Sequence, residues 1–463
     1  MTVTSFLVPA AGVVTAPVLA RGLSTQGRGE LAAALAPAAL MLAAATLGLP
    51  DALTFYLAKH PRLTRPVLIR ASALTFLLGA VCVGVVLVFL PFLSGDNPAL
   101  GRLIIISAVL TVPALGVSVF RGAAIGRQMW KEVAVERLIN VVIRVVGFVG
   151  LWAFGRLTVL TAVMINVIGP MVSGVVYLRL LRGPGRRQTN GEHAVESPFH
   201  VGHEVVDDDV DATTVPLPQG FSDIARFGVR VWFGGVASML LSRAASALMV
   251  PLAGETALGL YAVATTISDL PLIVAIAIQG ALFGVNSKAA NATQVTSTAR
   301  LALLFGAAGC VVLGGSLPLW IGPLFGAEYQ AATLPTIILM GSALVCIPGL
   351  MASTGVAAWG RPGLRSTGLA LTLVVNVAAF FVLVPRYGVY GACWTSLLSN
   401  VVLTSFMLVV AQRVMRVSAW DFVRVTGDDV RRGVAEGTRI LSLLKRLRRS
   451  ARVPRQADSR SYR

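Results

Sequence analysis

Long apolar stretches recur along the whole chain, separated by short segments that hold charged residues, glycine and proline. Each stretch is long enough to cross a hydrocarbon core of about 30 Å as a helix. The alternating pattern of a membrane barrel is absent. The pattern predicts an all-α, polytopic membrane protein of about twelve transmembrane helices, with spans at residues 3–20, 31–57, 69–92, 101–120, 133–154, 158–181, 222–251, 257–283, 298–321, 332–357, 366–384 and 389–411.

The composition agrees with a lipid environment. Of the 463 residues, 56% are apolar and only 13% are charged, which is too little charge to cover a soluble globule of this size. The net charge of +18 raises the possibility of nucleic-acid binding, but the basic residues lie in loops and in the tail and not on the face of a folded domain. Anionic membrane lipids are therefore the expected partner of this charge, and nucleic acid is not.

The distribution of Lys and Arg predicts the topology. Loops after even-numbered spans and the tail are rich in both residues, whereas loops after odd-numbered spans hold only Arg21, Arg28, Arg102, Arg156 and Arg386. Because cytoplasmic loops carry an excess of positive charge, both termini are predicted to be cytoplasmic.

The chain divides into four predicted regions. Residues 1–182 form an N-terminal six-helix lobe, and residues 221–412 form a C-terminal one. Residues 183–220 are polar and acidic with few apolar residues, which predicts a disordered cytoplasmic linker. Residues 413–463 form a basic cytoplasmic tail with an amphipathic segment that we expect to lie on the inner leaflet.

The two lobes resemble each other in sequence. Residues 123–127 at the end of the fourth span read Ala-Ala-Ile-Gly-Arg, and residues 357–361 at the end of the tenth read Ala-Ala-Trp-Gly-Arg, 234 positions later. Asn166 and Asn400 share that offset, and Asn140 and Asn376 are 236 positions apart. The matches predict a duplicated six-helix unit in parallel orientation, as in transporters whose halves rock about a central site.

Charged residues inside predicted spans are the main functional candidates, because each costs about 2.5–3.5 kcal/mol to insert. Arg144 lies at mid-depth of the fifth span, on one helical face with Arg137 and Asn140. This cationic stripe indicates an anion path through the bundle. An internal salt bridge, or snorkelling of the side chain to the interface, would also explain it.

The C-terminal lobe and the second span carry further charges. Arg243 lies in the seventh span, Asp51 in the second and Asp269 in the eighth. Either carboxylate could neutralise an arginine or carry a coupling proton. Tyr261, with the polar residues that follow it on the same face, could bind sugar hydroxyls or pack against another helix.

The sequence contains no pattern that indicates catalysis or a resident metal. The predicted extracytoplasmic loops are short and hold no His, and a phosphate-binding glycine loop is missing. Histidines beside the acidic run of the linker are not held by a predicted rigid element, so we expect no metal there. The four cysteines lie inside predicted spans and are interpreted as small apolar core residues.

Three segments resemble a known family. Residues 20–31, Ala-Arg-Gly-Leu-Ser-Thr-Gln-Gly-Arg-Gly-Glu-Leu, are similar to the first loop of the polysaccharide flippases of the multidrug/oligosaccharidyl-lipid/polysaccharide exporter superfamily, which typically reads Ala-Arg-x-Leu-Gly-Pro-x-Gly-x-Gly. Ser24 and Thr25 replace the usual Gly-Pro. Two further motifs of these proteins have counterparts here. One is Gly-Leu-Pro-Asp-Ala within residues 47–53, and the other is Phe-Gly-x-x-Tyr within residues 324–329.

The resemblance implies a substrate and partners. It implies a non-enzymatic flippase in a bacterial plasma membrane that moves a polyprenyl-diphosphate-linked oligosaccharide to the outer face, beside glycosyltransferases and a polysaccharide polymerase. Arg21 and Arg28 match the arginine-bearing part of the family's first loop, whereas Arg144 and Arg243 are candidates from depth and charge alone. No cofactor is expected, and coupling to protons or sodium stays open.

Two related functions compete with this interpretation. A multidrug cation antiporter of the same superfamily would need an interior rich in carboxylates and aromatic rings, whereas the predicted spans of this chain hold more Arg than Asp or Glu. A flippase for the peptidoglycan precursor lipid II is chemically close to the favoured function, since its cargo is also a lipid diphosphate.

Overall fold

The computed structural model describes residues 2–59, 64–95, 97–177, 221–273, 275–276, 292–359, 361, 363–427, 429 and 431. Across this part of the chain the regular structure is helical, without a strand. The helices are α1 Thr2–Ala45, α2 Leu49–Lys59, α3 Thr64–Val88, α4 Leu90–Ser94, α5 Pro98–Gly126, α6 Trp130–Ala153, α7 Val159–Gly174, α8 Phe221–Ser268, α9 Ala292–Phe325, α10 Thr333–Ala358, α11 Gly363–Tyr387 and α12 Val389–Met415. Two short 3₁₀ helices span Ala327–Ala332 and Ala419–Phe422.

The helices confirm a polytopic membrane protein. Within the described residues, nine helical segments are long and apolar enough to cross a membrane. Two of these, in α1 and α8, contain a break, and the more polar α6 is a further long helix. Each of the twelve predicted spans overlaps one of the helices α1–α12. The grouping into two equivalent six-helix halves, like the boundaries of the four regions, stays a prediction. The whole of the predicted linker and most of the tail lie outside the described residues.

The breaks in α1 and α8 differ from the predicted loops. The sequence predicts loops at residues 21–30 and 252–256, but the helix continues on both sides of a single non-helical residue, Ser24 in α1 and Gly254 in α8. Gly254 has φ 85° and ψ 171°, a region open to glycine almost alone. Conversely, the predicted span 31–57 is interrupted after Ala45, where Leu47 and Gly48 adopt positive φ. The polar segments at residues 21–30 and 252–256 therefore predicted where α1 and α8 bend, but each bend is shorter than the predicted loop.

The first and second halves of the chain pack through α1 and α8. The main apolar core includes Leu31 and Ala34 of α1 together with Leu258 and Tyr261 of α8, all nearly inaccessible to solvent. We call the end of the bundle near Ser24 and Gly254 the kink end. The predicted topology places the kink end on the extracytoplasmic side.

At the opposite end, the chain after α12 folds back onto the start of α9. Arg300 donates to Asp429 at 2.7 Å and to the backbone oxygen of Asp421 at 2.8 Å, and Phe422 is buried beneath this contact. Burial acts to raise the pKa of Asp429, but hydrogen bonds from Thr426 and the charge of Arg300 outweigh it and lower the pKa to about 2. The first residues of the tail are therefore held against the membrane bundle.

Candidate functional site

The break at Ser24 is held by a residue from the second half of the chain. Ser24 has φ 61°, which is uncommon for a residue with a side chain. A helix break leaves backbone carbonyls without helical partners, and Tyr329, which is almost fully buried, donates its hydroxyl to the Ser24 carbonyl at 2.9 Å. Tyr329 belongs to the Phe-Gly-x-x-Tyr segment. The geometry gives that motif a physical role, since its tyrosine fixes the turn from which Arg28 projects.

Arg28 and Arg144 both lie inside the bundle, within electrostatic range of each other. Arg28 lies one turn beyond the kink in α1, near Tyr329, and Arg144 lies in α6. The Nε atoms of both arginines are buried, and neither has a hydrogen-bond partner in the part of the chain that the structure describes. Buried donors without partners cost about 1–3 kcal/mol, more when charged. Two buried guanidinium groups with such donors are what an anion-binding site would require.

The other predicted cavity arginines differ from this pair. Arg21 is exposed and donates from Nε to the Leu324 carbonyl at 3.1 Å and from its terminal nitrogen to the Pro323 carbonyl. It thus ties α1 to the end of α9. Arg243 is exposed on α8 and lies within electrostatic range of Asp269. The structure therefore brings together Arg28 with Arg144, and Arg243 with Asp269, as two separate pairs.

Asn140 lies beside a neighbouring helix, and Asp51 lies in the first turn of its own helix. The Oδ1 atom of Asn140 lies beside Gly169 of α7, and its counterpart in the predicted repeat, Asn376, donates to Ser399 of α12 at 2.8 Å. Asn140 therefore faces the neighbouring helix in the same manner as Asn376. Asp51 is half-buried in the first turn of α2, where a negative charge is favoured by the helix dipole.

The polar face around Tyr261 also serves helix packing. The Tyr261 hydroxyl lies 3.0 Å from the Ser396 hydroxyl of α12. Thr265 and Ser268 donate to backbone carbonyls of their own helix. Of the two interpretations of this face, contact with another helix is the one that these hydrogen bonds support.

A close glycine crossing joins α1 and α8 at the kink end. A methyl group added to Gly29 would overlap the carbonyl of Glu255, and one added to Gly259 would overlap the carbonyl of Thr25. The two contacts are related by one offset, since adding 230 to residue numbers 25 and 29 gives 255 and 259. Two contacts that exchange their partners in this way form a pseudo-two-fold contact. Glycine is needed at both positions because any side chain would keep the two backbones apart.

Polar side chains surround this crossing. Gln26 donates to Glu255 at 3.0 Å and to Glu30 at 3.3 Å, and Asn97 donates to Glu255 at 2.7 Å. Nearby, Glu328 accepts from the backbone and hydroxyl of Thr25. Sequence reasoning missed Glu30 and Glu255 because both lie in predicted loops, where carboxylates are ordinary. The offset of 230 pairs Thr25 with Glu255 and Gly29 with Gly259, but it does not pair Glu30 with Glu255, which are 225 positions apart.

A buried ion pair in α5–α7 was also missed. Glu136, 1% exposed, binds Arg121 with an oxygen–nitrogen distance of 2.9 Å and accepts from Ser173 and Tyr177 at 3.3 Å. Glu136 lies in a predicted span with a regular apolar pattern, where the arginines are the more conspicuous charges. It was therefore not recognised as a candidate from the sequence. This network joins α5, α6 and α7, so we assign it to stability.

The Glu136→Ala substitution is expected to destabilise the protein by about 3 kcal/mol, because it leaves Arg121 without its counter-charge in a largely buried position. Thermal unfolding in detergent measures this. Glu132→Ala, one turn earlier on the same helix, is the control and should cost less than about 1 kcal/mol. Equal effects of the two substitutions would contradict a stabilising network.

Comparison with known proteins identifies the class of the bundle. The model of the family described as "Polysaccharide biosynthesis protein" matches residues 1–290, which include Arg28, Arg144 and the glycine crossing. The chain belongs to this family. No curated protein matches the sequence. The resemblance seen in the sequence is thereby confirmed at the level of the family.

Two solved structures of transporters share the fold of this family member. "Lipid II flippase MurJ, inward closed conformation" aligns with a TM-score of 0.64 and 11% identity over 91% of this chain and 88% of that one. An inward-facing "multidrug resistance MATE family transporter of the MOP superfamily" aligns with a TM-score of 0.64 and 14% identity over 88% and 95% of the respective chains. At these identities the comparisons show a polytopic transporter fold and not a substrate.

In the described part of this family member, no three His, Cys, Asp or Glu side chains are grouped as a metal site would require. The four cysteines are free thiols. What the interior offers a ligand is therefore positive charge and hydrogen-bond donors, contributed by Arg28 and Arg144.

Proposed function

We propose that this protein is a flippase for a polyprenyl-diphosphate-linked oligosaccharide, which it moves from the cytoplasmic to the outer face of a bacterial plasma membrane. The observation that carries the proposal is that the guanidinium Nε atoms of Arg28 and Arg144 are both buried and have no hydrogen-bond partner among the residues that the structure describes. A diphosphate carries roughly two negative charges, and guanidinium groups bind phosphate oxygens through paired hydrogen bonds. One diphosphate would satisfy both arginines at once.

The mechanism follows from two lobes around this site. With the bundle open at the end opposite the kink end, the diphosphate enters from the cytoplasm and binds Arg28 and Arg144 while the polyprenyl chain stays in lipid. Rocking of the N-terminal lobe against the C-terminal lobe then opens the kink end and closes the opposite end. Arg243, beside Asp269, is a second anion-binding residue along the path. In this scheme Arg21 holds the kink end closed, Asn140 packs α6 against α7, and Asp51 stabilises α2.

The membrane potential assists this direction of transport. An inside-negative potential favours outward movement of negative charge by about 2.3 kcal/mol per charge per 100 mV. With both termini and the linker in the cytoplasm, glycosyltransferases would supply the substrate on that side and a polymerase would receive it outside. Proton or sodium coupling could add to the driving force through Asp51 or Asp269.

A multidrug cation antiporter is the main alternative, because one of the two structural neighbours is named as a multidrug transporter. Two adjacent unpartnered cations would repel such a substrate. Lipid II transport is a closely related alternative, since the other neighbour is a lipid II flippase.

A binding experiment with purified protein separates these classes. We expect a polyprenyl diphosphate to bind, the matching monophosphate to bind more weakly because it carries less charge, and rhodamine 6G to compete with neither. Native mass spectrometry in detergent measures all three. Tight binding of the dye without binding of the diphosphate would favour the antiporter and overturn the proposal.

A further inference from the structure

The kink end holds two carboxyl groups that face each other across the contact between α1 and α8. Glu30 comes from α1 and Glu255 from α8, and a carboxyl oxygen of each lies within 3.3 Å of the same Gln26 amide nitrogen. The Gln26 amide donates to both, and Asn97 donates to Glu255. The pair thus sits on the boundary between the two lobes of the proposed transporter, beside the Gly29–Gly259 crossing.

The surroundings supply no cation to neutralise this pair. Arg21 is held by the carbonyls of Pro323 and Leu324, and Arg28 lies deeper in the bundle, within electrostatic range of Tyr329 and Arg144. On the adjoining 3₁₀ helix, Glu328 is negative and accepts from Thr25, and Tyr329 is neutral and bonded to Ser24. On α5, Asn97 is neutral and Arg102 lies exposed farther along, while Asp96 falls outside the described residues. In the described part of the chain, neither Glu30 nor Glu255 forms a salt bridge.

Two carboxylates held side by side repel each other when both are ionised, and uptake of one shared proton relieves that repulsion. The bond that this proton makes is a contact between the lobes. Loss of the proton would place two negative charges across the boundary at the point where α1 and α8 come closest.

We propose that Glu30 and Glu255 form a proton-dependent latch that closes the kink end of the transporter. With one shared proton, the two carboxyl groups hydrogen-bond and hold α1 against α8. When the pair loses that proton, repulsion separates the lobes at this end. The latch rests on the rocking motion of the proposed function but not on the identity of the substrate.

The test measures the separation of the lobes at the kink end as pH changes. Spin labels are placed at Phe154 and Tyr387, which are 82% and 59% exposed, in a variant whose four cysteines are replaced by alanine. Electron–electron distance measurements on the protein in nanodiscs, without substrate, are made between about pH 5 and about pH 9, a range that brackets titration of a shared carboxyl proton. We expect the closed population to fall as pH rises, by up to about tenfold per pH unit for one proton.

Variants of the carboxyl groups make the test specific. Glu30→Gln and Glu255→Gln each replace a carboxylate by a neutral hydrogen-bond donor, so both should stay closed at all pH values. Glu328→Gln removes a carboxylate at the same end that is not part of the pair, and it should retain the pH dependence of the unsubstituted protein.

Two results would overturn the latch. One is a distance distribution that does not change with pH in the unsubstituted protein. The other is the same pH dependence in Glu30→Gln and Glu255→Gln as in Glu328→Gln. Because no lipid diphosphate is present, failure of the latch leaves the binding experiment on the proposed function unaffected, and failure of diphosphate binding leaves this test unaffected.

Discussion

Removing either Arg28 or Arg144 is expected to weaken binding of a polyprenyl diphosphate roughly tenfold to hundredfold. The reason is that each alanine variant loses charge-assisted hydrogen bonds worth about 1.5–3 kcal/mol. Lysine variants keep the charge but lose the planar fork, so they should recover only part of the affinity. Titration of purified variants with the lipid, followed by native mass spectrometry, measures the loss.

The same substitutions should not destabilise the empty protein. In the described part of the chain both Nε atoms are buried without a hydrogen-bond partner, so the Arg28→Ala and Arg144→Ala variants should unfold at the same temperature as the parent or at a higher one. Arg156→Ala, an exposed arginine in the α6–α7 loop, is the control and should change neither binding nor stability. Loss of stability with unchanged binding would show that the pair is structural and not a binding site.

Alanine at Gly29 or Gly259 is expected to abolish transport by preventing closure of the kink end. Each added methyl group would overlap a backbone carbonyl of the other helix, and backbone cannot move aside without separating α1 from α8. The distance between labels at Phe154 and Tyr387 should therefore shift to the longer value at every pH. Flipping activity in proteoliposomes should fall at least tenfold.

The chain offers a matched control for each of these glycines. Gly12 on α1 and Gly235 on α8 have no atoms within 4 Å of an added methyl group. Alanine at either position should leave label distances and flipping unchanged, and should slightly favour the helix by removing glycine flexibility. Normal closure in the Gly29→Ala and Gly259→Ala variants would contradict the importance of the crossing.

The helical membrane fold could be predicted from sequence because apolar runs of sufficient length report directly on the lipid environment. The shape of the bends could not be predicted so well. Residues 21–30 are polar enough to suggest a loop, yet the helix continues around Ser24 because Tyr329, some 300 positions later, holds the free carbonyl. The break after Ala45 falls in an apolar segment and left no such polar signal.

Part of the candidate site could also be predicted from the sequence. Arg144 was recognisable because charge within a span is costly, and Arg28 because of its motif, but their proximity depends on the packing of α1 beside α6. Asn140 carried a comparable signal and yet faces α7. Composition cannot distinguish a polar side chain aimed at a ligand from one aimed at a neighbouring helix, since both are rare in membrane spans.

The carboxyl pair could not be predicted from residue type. Glu30 and Glu255 are 225 positions apart and lie in polar segments, where a carboxylate indicates nothing unusual. Their proposed role depends on a contact between α1 and α8, which belong to the two predicted lobes. Only the reciprocal glycine crossing brings the segments together, and it depends on the absence of side chains at Gly29 and Gly259.

The most direct test of the central claim is translocation of a polyprenyl diphosphate carrying a short fluorescent oligosaccharide in proteoliposomes. A membrane-impermeant quencher reports the fraction on each face of the bilayer. We expect the unsubstituted protein to equilibrate the lipid between leaflets, the Arg28→Ala and Arg144→Ala variants to lose most of this activity, and Arg156→Ala to keep it. Translocation at the unsubstituted rate in both variants would contradict a diphosphate path through the buried arginine pair.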